Sequence, residues 1–208
     1  MAWNVQRGLD AVKSAIAIAA CGKPVRLVAV SKFHPAEAIM ECYSLGNRHF
    51  GENYIQELED KANALQSSCP EIRWHYIGQI QSNKIGKIAC VPNLYCVETL
   101  ETEKHANLLE NAMEKQCKTL RVLVQVNTSA EVQKGGVFPA EAVSLAQFIS
   151  TSCPHLTFSG FMTIGSMENS GKAPNPDFDI LTETRKMFAD KQGVLDDSLE
   201  LSMVRPFE

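Results

Sequence analysis

A chain of 208 residues, 45% hydrophobic, can bury a full core and fits one larger globular domain or, less easily, two small ones. Its net charge of -4, with no basic block and no basic-aromatic interleaving, argues against nucleic acid as the main partner, and no apolar run is long enough to cross a bilayer. Seven cysteines, odd in number and without a C-x-x-C pair, argue against a disulfide framework or zinc site and suit a reducing, cytoplasmic compartment.

Val5, Leu9, Val12, Ile16 and Ala19 recur at steps of four and three, which predicts an amphipathic helix over about 2–20. Arg7, Asp10 and Lys13 interrupt its apolar residues, unlike a secretory signal, and a mitochondrial presequence is the remaining targeting alternative. Arg26-Leu27-Val28-Ala29-Val30 then forms an apolar run without polar alternation, the pattern of a strand buried on both faces, and it ends on Ser31 and Lys32. Pro35 opens a helix with Ala36, Ile39, Met40 and Tyr43 on one face, stopped by Gly46. His49 to Glu52 is a second strand, after which Asn53 is placed to cap a helix, with Gln56 at the capping-box position. That helix buries Ile55, Leu58, Ala62 and Leu65.

Further strands are predicted at 74–77, 94–97, 121–126, 156–164 and 199–203. The intervening helices carry Leu109, Ala112 and Met113, then Ala142, Leu145, Ala146 and Ile149, then, from Pro176, Phe178, Leu181 and Phe188. Strands alternating with helices imply an α/β fold with a parallel sheet, either an open doubly wound sheet or a closed (β/α)8 TIM-type barrel. Neither a G-x-G-x-x-G nor a G-x-x-x-x-G-K-[ST] motif is present, which favours the barrel, as a single domain over 1–208. Seven strands are recognisable, and the chain stops five residues after Met203.

Lys32 stands at the carboxyl end of the first strand, where such folds place their chemistry. Gly51-Glu52-Asn53-Tyr54, Asn127 and Thr163 stand at or near other strand ends, and His75 lies within the third strand. Each has a purely structural alternative: Gly51 permits a turn, Asn53 caps a helix, and His75 between Trp74 and Tyr76 is a hydrogen-bonded core histidine.

Five motifs in order give these residues a family likeness. Val28-Ala29-Val30-Ser31-Lys32, Phe50-Gly51-Glu52-Asn53-Tyr54, the run from Trp74 through His75, Gly78, Gln81, Asn83 and Lys84, Val124-Gln125-Val126-Asn127, and Gly160-Phe161-Met162-Thr163-Ile164-Gly165 closely resemble the YggS/PROSC family of pyridoxal phosphate homeostasis proteins. The resemblance runs from about Arg26 to Met203. It implies the alanine racemase N-terminal barrel of fold-type III, with Lys32 holding pyridoxal 5'-phosphate (PLP) as a Schiff base. By the same resemblance Asn53, His75 and Ser202 lie around the ring and phosphate. Separately from the resemblance, Lys134 is a candidate second amine for passing the cofactor on. The implied role is intracellular vitamin B6 homeostasis by a monomer without catalytic turnover, with PLP-dependent apoenzymes as recipients and neither nucleic acid nor membrane as partner. A lysine forms a Schiff base only as the neutral amine, and desolvation at a buried strand end shifts the equilibrium that way.

Against the family pattern, the sequence after Leu201-Ser202-Met203 diverts to Val204-Arg205-Pro206-Phe207-Glu208, so the eighth strand and its phosphate-cradling loop are expected to be missing. Strands one and seven are then expected to be open edges, and PLP binding weaker than in a complete member. The alternative function is a fold-type III amino-acid racemase or decarboxylase. That chemistry requires a second acid or base, ordinarily on a further β domain for which this length leaves no room.

Overall fold

The computed structural model describes residues 4–131 and 134–204; Arg205, the rest of the divergent tail, and the first residues of the predicted amino-terminal helix lie outside the described residues. The chain divides into two units, one of residues 4–78 with 90–95 and the other of 79–89 with 96–204.

The first unit contains α1 (Val5–Ala20), β1 (Ala29–Val30), α2 (Ala36–Ser44), β2 (His49–Glu52), α3 (Ile55–Leu65) and β3 (Arg73–Tyr76). Its strands are parallel in chain order, with Val30 beside Gly51 and Gly51 beside His75. Ile39, Phe50, Leu58, Leu65 and Trp74 are fully buried here, each contributing about 1.5–3 kcal/mol by leaving water. Gly46, at φ +87°, ends α2 as its sequence suggests.

The second unit contains α4 (Ile85–Ala89), most of β4 (Leu94–Leu100), α5 (Glu103–Glu114), β5 (Leu120–Gln125), α6 (Pro139–Ser152), β6 (Leu156–Ile164), α7 (Pro176–Gln192) and β7 (Glu200–Val204). Strands β4, β5, β6 and β7 are parallel neighbours in that order. Helix starts follow local chemistry: Thr102 Oγ1 accepts from His105 N at the start of α5, and Asn175 Oδ1 accepts from Asp177 N at the start of α7, which Pro176 opens. Gly160 has φ +144°, and a Cβ there would lie 1.9 Å from the Glu200 carbonyl oxygen, so only glycine lets β6 approach β7.

Three expectations need correction. The first strand is two residues long, not five, and Leu27 to Val30 are half-buried instead of covered on both faces. β1 has β2 on one side, and its short ladder leaves the rest of the apolar run outside regular structure. α1 buries Leu9 alone from its predicted stripe, Val12 being 45% exposed, and Met40 on α2 is 43% exposed where Cys42 takes the inward place. Among the described residues there is no eighth strand, and no helix is long and apolar enough to cross a membrane.

Candidate functional site

Beyond β1 the backbone turns sharply. Ser31 N donates to the Gly51 carbonyl at 2.9 Å, continuing the ladder, and His34 N donates back to Ser31 O at 3.0 Å, closing a turn with Lys32 and Phe33 at its centre. Phe33 has φ +63°, a left-handed conformation that glycine usually takes in such a turn and that costs a bulky residue about 1–3 kcal/mol. Lys32 is half-buried and has no hydrogen-bond or ion-pair partner among the described residues.

A charged cluster beneath the turn holds it. Lys61, on α3 and only 8% exposed, donates from Nζ to Ser31 O, Glu52 Oε1 and Glu57 Oε1, each at 2.6 Å. Glu57 Oε1 also accepts from Phe33 N at 2.6 Å, and Glu52 Oε1 from Ser31 Oγ at 2.7 Å. The second Glu52 oxygen is buried without a partner. Burial pushes the Glu52 carboxyl above its ordinary range, outweighing the opposing effects of Lys61 and Ser31.

Asn53 follows β2 but does not cap α3. The cap position is Tyr54, which makes no side-chain cap bond, and Gln56 Nε2 reaches forward to Asp60 Oδ1 at 3.0 Å. The Asn53 Oδ1 is instead buried and unpartnered. Its backbone lies so close to Gly78 that a Cβ there would fall 1.8 Å from the Asn53 carbonyl oxygen. The Tyr54 ring packs tilted against that of the exposed Phe33, centroids 5.3 Å apart and planes at 44°. His75, on β3, is buried with its Nε2 2.8 Å from Nδ1 of His49 and its ring 5.2 Å from that of Tyr95. It therefore has the hydrogen-bonded core surroundings that its sequence neighbours suggest.

In the second unit, Ser202 lies in β7 and donates from Oγ to Glu98 Oε2 at 2.6 Å. Asn127 Nδ2 donates to the Glu131 carbonyl at 2.9 Å, leaving its Oδ1 buried without a partner. Thr163 Oγ1 donates to Val126 O and lies 2.9 Å from Thr128 Oγ1. Lys134 is held by Glu131 at 2.7 Å and faces the Gly165 carbonyl at 3.4 Å. Asp177 organises the loop before α7: Ser166 N and Oγ donate to its Oδ2 at 2.7 and 2.9 Å, and Asn169 Nδ2 at 3.2 Å. Burial raises the Asp177 pKa, but these donors and the charge of Lys134 overcome it and hold the carboxyl below its usual range.

The model of the family described as alanine racemase, N-terminal domain, matches residues 9–200. The pyridoxal phosphate homeostasis protein of Caenorhabditis elegans is 53% identical over 199 residues, covering 94% of this chain and 82% of that protein. The chain belongs to the family of pyridoxal phosphate homeostasis proteins. Its fold is also that of an unknown protein from Bifidobacterium adolescentis, at TM-score 0.81 and 30% identity, with 97% of this chain and 90% of that one covered. PipY of Synechococcus elongatus, solved with PLP bound, matches at TM-score 0.72 and 25% identity over 92% of this chain and 95% of its own.

For a homeostasis-family chain, the motif residues at the first two strand ends are where the sequence places them, Lys32 in a turn after β1 and Asn53 after β2. Glu57 and Lys61 were not legible as part of the site. At i and i+4 on a helix they read as a surface ion pair, and the only sequence hint is that Lys61 lies among the inward positions Leu58, Ala62 and Leu65.

Proposed function

We propose that this chain holds PLP on the amine of Lys32 and serves the intracellular supply of the cofactor to apoenzymes, with no turnover of its own. The observation that carries this reading is Lys32 itself, a primary amine without a competing partner on a backbone held by the Lys61 and Glu57 charges. The residues present fit such a ligand. A free amine and the unpartnered Asn53 Oδ1 both belong to the first unit, and the latter is an acceptor for a hydroxyl or a protonated ring nitrogen.

Bound there, PLP would supply an aldehyde carbon able to form an imine with a primary amine, with loss of one water, and Lys32 would hold it. The four-carbon stem of Lys32 supplies the reach. The half-exposed strand before it leaves the turn accessible to a small molecule. His75 and Ser202, assigned to the ligand by the family likeness, already use His75 Nε2 on His49 and Ser202 Oγ on Glu98.

The test is borohydride reduction of the PLP-loaded protein followed by peptide mapping. A pyridoxyl group on Lys32, with loss of the yellow colour in Lys32→Ala, is the expected result; a label on another lysine, or unchanged colour in the variant, overturns the assignment. Incubation of the loaded protein with L-alanine in deuterated water should exchange no more α-proton than free PLP does. Faster exchange would replace the supply role with the racemase reading.

A further inference from the structure

Both peptide units that flank the Lys32 Cα end on the same ion-paired cluster. On one side the Ser31 carbonyl receives the Lys61 ammonium; on the other the Phe33 N–H is received by the Glu57 carboxylate, and Lys61 joins Glu57 to Glu52. Lys61 is buried, Glu52 is fully so, and Ser31 is tied to Glu52 through its hydroxyl. An exposed helix would gain little from such a pair, whereas here three oxygens on different segments converge on one ammonium within hydrogen-bond distance. The held turn contains Phe33 in a left-handed conformation that would relax if its N–H were released.

We propose that Lys61 and Glu57 are positioning residues that clamp the backbone on either side of Lys32, so that only its side chain moves when it captures or releases an aldehyde. The proposal rests on Lys32 being the anchoring amine. Lys61 acts through the Ser31 carbonyl and Glu57 through the Phe33 amide, and neither needs to touch the ligand. Removing either lets the turn relax, and the amine then samples many positions instead of one, which weakens capture through lost preorganisation.

The experiment compares wild type with Lys61→Met, which keeps the buried stem, and Glu57→Ala, which leaves the Lys61–Glu52 pair in place. Amide hydrogen exchange of the ligand-free proteins, resolved at Phe33, is read together with PLP affinity from absorbance. We expect exchange at Phe33 to rise by about tenfold or more, the loss of one charge-assisted bond, while the Ile77 amide, bonded to Glu52 O in the strand ladder, stays protected. PLP affinity should fall by a similar factor of about ten, with reduction still labelling Lys32. A uniform rise at Phe33 and Ile77 alike would assign the cluster to fold stability alone and overturn the proposal, as would unchanged exchange and affinity in Glu57→Ala. If Lys61→Met fails to fold, Glu57→Ala decides. Absence of label at Lys32 in the wild type would sink the anchoring assignment, while the exchange result would still stand or fall separately.

Discussion

Removing the Asn53 carboxamide asks whether its oxygen is kept for a ligand. A buried acceptor bonded to no protein group contributes nothing favourable to the ligand-free fold, so Asn53→Ala should leave the melting temperature within a degree or two, roughly the effect of a few tenths of a kcal/mol. PLP affinity should nevertheless fall by about tenfold, measured by titrating absorbance. A melting temperature far below wild type with unchanged affinity would make Asn53 structural. Single residues were unevenly legible. Lys32 could be picked out because a cation at the end of an apolar strand interrupts a pattern. Lys61 could not, since a lysine within an amphipathic helix ordinarily marks the wet face, and only the placement of Ser31 and Glu52 beneath it shows otherwise. The local reading of Asn53 as a cap failed, because the spacing to Gln56 imitates a capping box that the backbone begins one residue later.

Among the elements, α7 and the β6–β7 ladder offer the cleanest tests. Asn175→Ala removes the cap that accepts from Asp177 N and should cost about 1 kcal/mol in denaturant unfolding. Gly160→Ala should cost more, about 2 kcal/mol or above, because its φ is hostile to a side chain and the Glu200 backbone occupies the space. Soluble, correctly folded Gly160→Ala of native stability would contradict the described approach of β6 and β7. Element positions were well read from periodicity: β6 is found at Leu156–Ile164 as expected, and β2, β3, β5 and β7 lie within a residue or so of their predicted bounds. β1 was overestimated because hydrophobicity alone cannot say whether a neighbouring strand exists to continue the ladder.

For the whole molecule, pH should act through two carboxyls with opposite signs. Asp177 has a depressed folded pKa, so its contribution is full above its unfolded value near about 3.9 and is lost as pH falls through the folded value. Glu52 has a raised one, so its contribution is full below about 4.3 and disappears as pH rises through the folded value. Denaturant midpoints followed from acid to neutral pH should therefore show Asp177→Asn flattening the acid limb, and Glu52→Gln flattening a decline that lies above the ordinary carboxylate range. Parallel curves for wild type and both variants would show that neither group titrates differently in the folded chain. These interactions were invisible in the composition, which records a modest net charge but not which acids lose contact with water.

Gly78 and Gly160, neither of which admits a methyl group, have a consequence for inherited variation. Every missense change at codon 78 or 160 adds at least the carbon that collides with Asn53 or Glu200 main chain. Carriers of such alleles should therefore show depleted polypeptide, cleared by cellular quality control, rather than normal amounts of a protein with an impaired ligand site. Immunoblot abundance would separate these alleles from those at Lys32, whose product should persist at ordinary levels.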